Sequence, residues 1–178
     1  MQIFSQINQD MQLFLVIIFS LICGSFASFV TYRLGLGTSL FAANSICPKC
    51  STKLKPKNLI PLISYFWQKG KCNICGHKIS LRYPLIETVF LGSFLAIYFS
   101  LNRKIDAVML LYFAISFCLI SMIIIDLEHY FIPNSLQYIL AILALSLLFI
   151  KGGQGLILTN FKGAFLYLFL AGALWLFF

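Results

Sequence analysis

Four of the six cysteines in this 178-residue chain stand as two CxxC pairs, Cys47-Pro-Lys-Cys50 and Cys72-Asn-Ile-Cys75, with 21 residues between them. Each pair bends the backbone so that two sulfurs face one point, and two such knuckles make a tetrahedral four-thiolate site for Zn²⁺. Lys49, Lys53, Lys71 and Lys78 surround the site, and their ammonium groups offset the net charge of about −2 on a zinc tetrathiolate. Two disulfides or free thiols are the competing reading, which a reducing compartment disfavours. A closed shell of four cysteines implies a structural metal, since a catalytic zinc keeps one position open. His77 is then left as a solvated loop residue. Cys23 and Cys118 have no partner motif and read as packing residues.

The acidic residues number only five. Asp10 and Asp106 flank apolar stretches, and Glu87 is expected in the first turn of a helix, where the dipole favours a carboxylate. Asp126 differs, because it follows Ser121-Met-Ile-Ile-Ile125 at the expected C-terminal end of an apolar helix. The dipole there and the apolar neighbours both oppose negative charge. A carboxyl group held near neutrality suits acid–base chemistry on a peptide bond. On position alone, an interfacial Asp paired with His129 is the plainer reading, with Pro133 opening the next helix.

The elements that must position these groups follow from composition. Apolar residues make up 61% of the chain and charged residues 10%, against about 45–50% and 25% in soluble domains. A core of this size cannot hide so much apolar surface, so the bilayer is the solvent. Met11–Tyr32 carries no charge and is long enough to span. Further spans are expected from about Pro84 to Leu101, between Asp106 and Asp126, from about Pro133 to Ile150, and from near Phe161 to Phe178. The N-terminus lacks the basic leader and short apolar core of a cleaved signal peptide. The fold class expected is therefore an all-α polytopic membrane protein of about five transmembrane helices, with a four-Cys zinc loop between the first two.

Charge sets the expected orientation. No Lys or Arg precedes Arg33, and nine of the thirteen lie between Arg33 and Arg82. Cytoplasmic loops carry this excess, which puts residues 33–83 in the cytoplasm and the N-terminus outside. The net charge of +8 is then a topology signal, with membrane lipid and not nucleic acid as the polar partner.

Several ordered segments resemble the prepilin peptidase family. They are Gly24-Ser-Phe26, Tyr32-Arg33, Cys47-Pro-Lys-Cys50, Ile60-Pro-Leu-Ile-Ser-Tyr65, Gly70-Lys-Cys72, Cys75-Gly76, Ile79-Ser80, Arg82-Tyr-Pro-Leu-Ile-Glu87, Asp126-Leu-Glu-His129 and Ile132-Pro-Asn134. The resemblance implies a polytopic aspartic peptidase of the bacterial cytoplasmic (inner) membrane. Its substrates are prepilins and the pilin-like subunits of type II secretion or DNA-uptake systems, cut after a glycine at the cytoplasmic face. It also implies N-methylation of the new terminus from S-adenosylmethionine, associated with the four-Cys loop. By resemblance Asp126 becomes a catalytic residue. The domains expected are 1–32 (N-terminal segment and first span), 33–83 (zinc loop) and 84–178 (peptidase region).

The chain departs from the family pattern twice. Ser28 stands where the family usually carries Asn. The family's second catalytic aspartate lies in a Gly-x-Gly-Asp segment after the fifth span, and no Asp follows Asp126 here. Glu128 is no substitute, since residues two apart on a helix point to nearly opposite faces. The expectation is a peptidase cut short before its second aspartate and inactive in cleavage as it stands. A chain retaining methyl transfer alone, or a zinc-bearing membrane adaptor for pilin-like helices, are the alternatives. Small residues Gly24, Ser25, Ala27 and Ser28 could admit a foreign helix, though packing among the chain's own spans is the plainer use. Oligomeric state is left open.

Overall fold

The computed structural model describes residues 2–37, 47, 49–54, 58–101, 103 and 105–151, with side chains described from residue 8 to residue 150. Five helices occur among these: α1 Gln2–Gly35, α2 Ile63–Trp67, α3 Arg82–Ser100, α4 Ala107–His129 and α5 Asn134–Lys151. No strand forms among the described residues. One isolated antiparallel bridge joins Lys71 and Lys78. Three helices are long and apolar enough to cross a bilayer, namely Asn8–Gly35 within α1, α3 and α4, while Asn134–Ile150 is apolar but shorter. The expected fifth span, near Phe161 to Phe178, lies outside the described residues. Met1–Leu140 forms one compact unit and Ala141–Phe178 another.

Helix boundaries depart from the sequence expectation in instructive ways. The N-terminal residues are helical from Gln2, so α1 has 34 residues, about 50 Å at 1.5 Å per residue. α3 begins at Arg82 and carries Pro84 inside its first turn, where a missing N–H costs nothing. Glu87 is consequently in the second turn and not the first, as expected from sequence. α4 does not stop at Asp126 but continues to His129, capped by Tyr130 in the left-handed region (φ 56°), whose N–H bonds the Asp126 carbonyl. At its other end Asp106 is an N-cap, its carboxylate accepting from the Met109 amide at 2.8 Å.

Helices α1, α3 and α4 pack on one another. Val16, Ala27, Ile86, Phe90, Phe94, Tyr98, Met109 and Phe113 form their core. Phe94 and Phe113 stack face to face with centroids 4.3 Å apart. In a bilayer such dispersion contacts, rather than water exclusion, hold helices together. The outward faces are as apolar as the inward ones: Phe14, Ile22, Phe26, Leu110, Ile123 and Leu127 are all exposed, as lipid-facing side chains must be.

α1 and α3 approach closely at Gly24. A Cβ there would lie 2.8 Å from the Glu87 Cα and 3.2 Å from the Phe90 Cβ. Ala27 and Ser28 are buried in the same seam, so the small residues serve the chain's own spans. Ser28 returns its hydroxyl to the Gly24 carbonyl at 3.1 Å, and Thr31 does the same to Ala27 at 2.8 Å. Gly24→Ala is expected to destabilise the bundle by about 1–3 kcal/mol through overpacking. Thermal unfolding in detergent measures this, with Gly92→Ala as the neutral control, since a Cβ at Gly92 meets nothing within 4 Å.

Candidate functional site

The two knuckles fold alike. In the first, the Cys47 amide donates to the Thr52 carbonyl at 3.0 Å and the Ser51 amide to the Cys47 carbonyl at 2.9 Å. In the second, the Cys72 amide donates to the His77 carbonyl at 2.8 Å and the Gly76 amide to the Cys72 carbonyl at 2.9 Å. The residue after each second cysteine has a positive φ, 54° at Ser51 and 68° at Gly76. This conformation suits Gly76 and is costly for Ser51.

The knuckles bring Cys47, Cys50, Cys72 and Cys75 together, with all four sulfurs within 4.8 Å of one another. Cys47 and Cys75, from different knuckles, lie 3.8 Å apart. Zn–S bonds of about 2.3 Å in a tetrahedron require sulfur–sulfur edges of about 3.8 Å. All six cysteines are free thiols, so disulfides are not the arrangement seen. Cys47 and Cys72 are buried, while Cys75 is exposed.

Local dipoles prepare thiolates. The Thr52 hydroxyl and amide beside Cys50 pull its pKa down to about 6. The Cys75 and Ile74 amides lower that of Cys72. Cys75 goes the other way, up to about 11: the His77 amide favours its thiolate, but partial desolvation of the sulfur and the neighbouring sulfurs outweigh it. Four sulfurs this close share protons unless a cation displaces them, and a divalent metal supplies that charge. His77 is exposed and contributes no sulfur-facing nitrogen to the cluster.

The loop returns to the helices at Arg82, where a second polar centre forms. The Arg82 guanidinium grips the Glu128 carboxylate with two bonds, Nε to Oε1 and Nη2 to Oε2, the latter at 2.8 Å. It also donates to the Ser28 carbonyl at 3.1 Å and the Thr31 hydroxyl at 2.7 Å. One side chain of α3 thus fastens the C-terminal ends of α1 and α4. A Cβ on Gly35 would clash with the His129 ring, so the glycine is what lets the last turn of α4 pack against the end of α1. His129 is spent on this contact and is not the partner that a plain interfacial reading of Asp126 assigned to it.

Asp126 is exposed on the same last turn of α4. Glu128 turns inward to Arg82 and Asp126 outward, as the helical phase of residues two apart requires. The chain itself does not enclose Asp126, so the apolar surround expected from sequence is absent among the described residues. Glu87 is the residue whose role sequence reading missed. It is buried, and its Oε2 accepts the Leu62 amide at 2.7 Å, tying the loop to α3.

Residues 18–101 match the family described as bacterial peptidase A24 N-terminal domain. A prepilin leader peptidase/N-methyltransferase of Vibrio cholerae is 36% identical over 140 residues, covering 74% of this chain and 54% of the relative. The protein of that name from Pseudomonas aeruginosa is 35% identical over 143 residues, 78% of this chain and 47% of the relative. That of Bacillus subtilis is 47% identical over 75 residues, 42% of this chain and 30% of the relative. The chain belongs to the prepilin peptidase family. It spans about half the length, or less, of these relatives. No solved structure matches. Within the family frame, the matched segment covers the C-terminal half of α1, the four-Cys loop and α3, and ends before Asp126.

The purified chain is expected to carry one zinc ion by elemental analysis. Cys72→Ser should lose it and open residues 47–79 to protease, with helix content kept. Intact masses showing paired disulfides, or full metal in the serine variant, would contradict the assignment.

Proposed function

We propose that this chain acts in prepilin maturation at the cytoplasmic face of the bacterial inner membrane. Asp126 is one catalytic carboxyl of leader cleavage, and the four-Cys loop is the zinc-stapled platform of N-methylation. The observation that carries the reading is convergence. Arg82 follows directly on the loop and clasps Glu128, two residues from Asp126, so the loop and the carboxyl share one end of the bundle. The relatives' names, prepilin leader peptidase/N-methyltransferase, supply both activities, and the basic excess in residues 33–83 supports a cytoplasmic loop and an external N-terminus. In domain terms, residues 1–32 hold the first span, 33–83 the zinc loop and 84–178 the peptidase region.

In hydrolysis a carboxylate takes a proton from water as its oxygen adds to the scissile carbonyl, and a second, protonated carboxyl donates to the carbonyl oxygen. The amine then leaves with a proton, and the pair titrates as a unit. Asp126 supplies one member, held by the Arg82–Glu128 clasp and the His129–Gly35 contact. No Asp follows it in these 178 residues, so the second carboxyl must come from outside them. Zinc at Cys47, Cys50, Cys72 and Cys75 fixes the loop's shape and takes no part in bond breaking. S-adenosylmethionine is the methyl donor, a substrate brought to the loop.

Two assays separate the halves of the proposal. Residues 1–178 in nanodiscs should leave a prepilin's leader uncut, and cleavage by this chain would overturn the need for a second carboxyl. Given a pre-cleaved pilin and methyl-labelled S-adenosylmethionine, the zinc-loaded chain should label the new N-terminus. Absence of label would remove the methyl-transfer half.

A further inference from the structure

Exposed apolar side chains on α1, α3 and α4 need no special account, because those helices face lipid. The short helix α2 is not a span, yet it has the same character. Trp67 is 84% exposed, Phe66 72% and Ile63 55%, and Leu59 and Ile60 before them are exposed too. Ser64 and Gln68 point the other way and are half-buried. Polar residues inward and an i, i+3, i+4 apolar stripe outward is the reverse of a helix facing water.

The position of α2 is fixed by its first residues. Leu62 adopts φ 58°, ψ −54°, and the Ile63 amide bonds the Pro61 carbonyl at 2.6 Å. That is a γ-turn of the rare, strained hand. What holds it is the buried Glu87 carboxylate on the Leu62 amide, at 2.7 Å. Glu87 lies five residues into α3, about 7–8 Å along the helix. α3 is 19 residues long, about 28 Å, close to the hydrocarbon thickness of about 30 Å. The loop therefore dips back to the level of the second turn of a spanning helix, the depth at which interfacial helices bury their apolar faces, roughly 5–10 Å.

Charge points to the same surroundings. No acidic residue occurs between Arg33 and Ile86, so the loop has no counter-charge of its own beyond the thiolates. Lys71 and Lys78 face each other across the antiparallel bridge, where like charges repel. With Lys69, Tyr65 and Leu81 they line a cleft of ≈ 400 Å³, and all three lysines are exposed.

We propose that residues 59–81 form an interfacial anchor: Ile63, Phe66 and Trp67 insert below the headgroups beside α3, and Lys69, Lys71 and Lys78 hold anionic phospholipid headgroups. The anchor fixes the metal loop flat against the bilayer. It rests on the membrane spans and not on the peptidase reading, so neither stands or falls with the other.

Trp67 reports on this directly, since Trp175 is the only other tryptophan and Trp175→Phe removes it. In nanodiscs, lipids spin-labelled just below the headgroup should quench Trp67 more than labels at the bilayer centre. Labelled phosphatidylglycerol should exceed labelled phosphatidylcholine at least roughly fivefold in local enrichment at low salt. Lys69→Gln, Lys71→Gln and Lys78→Gln together should abolish that preference while the helix content and the depth profile of Trp67 quenching are kept. Trp67 indifferent to labels at every depth would overturn the anchor, as would equal quenching by both lipids in the parent chain. Shielding of Trp67 only on addition of an apolar pilin peptide would assign the face to a protein partner and overturn it too.

Discussion

A guanidinium brings five N–H donors and no acceptor, and near a bilayer every donor left unpaired is costly. Arg82 meets that demand by drawing three helices to itself. Its own position opens α3, the Ser28 carbonyl and Thr31 hydroxyl come from α1, and the Glu128 carboxylate comes from α4. Much else in the arrangement follows. Ser28 and Thr31 can present those oxygens because Gly24, one turn away, lets α1 press against α3. Tyr130 ends α4 one residue after His129, so that Glu128 remains on a helical turn and keeps its inward phase. Asp126 inherits its outward direction from the same turn.

The clasp also explains why two unlike centres share one end of the molecule. The four-Cys loop leaves α1 and re-enters at Arg82, so its exit is bolted to the bundle by the side chain that fixes α4. Glu87 adds a second attachment one turn deeper, through the Leu62 amide. Between them, the four-thiolate knot and the Asp126 turn cannot drift apart without breaking the two-pronged Arg82–Glu128 pair at the surface or the part-buried Glu87–Leu62 bond, charge-assisted contacts that are stronger than a neutral hydrogen bond. A loop of about 50 residues cannot build its own core, and the four-cysteine cluster and two attachments supply order that a core would give.

How much of this could be read in advance depended on whether the signal was local. The four cysteines were legible because knuckle geometry is set within six residues, and the structure repeats the same hydrogen bonds at Cys47 and Cys72. The spans were legible from apolar length, but their ends were not. Pro84 was read as a first helical residue although proline is tolerated through the whole first turn, and that shift put Glu87 in the first turn as a carboxylate favoured by the dipole, not in the second, where it bridges to the Leu62 amide. Nothing near Asp126 announces that α4 continues, since its cap is Tyr130 in a left-handed conformation that glycine or asparagine usually occupies. The Arg82–Glu128 pair is separated by 46 residues, and one sequence carries no signal for such a contact. Ser28, read as a departure from a family pattern and as a small packing residue, also offers its carbonyl to Arg82.

The central claim is that the Arg82–Glu128 clasp couples α3 to the turn bearing Asp126. A double-mutant cycle with Arg82→Ala and Glu128→Ala, read by thermal unfolding in nanodiscs, tests it most directly. The account requires a coupling of roughly 0.5–1 kcal/mol, with the double variant losing less than the two single losses combined. Single losses that simply add, with no coupling, would mean that the two side chains do not hold the helices together and that Asp126 is positioned by something else.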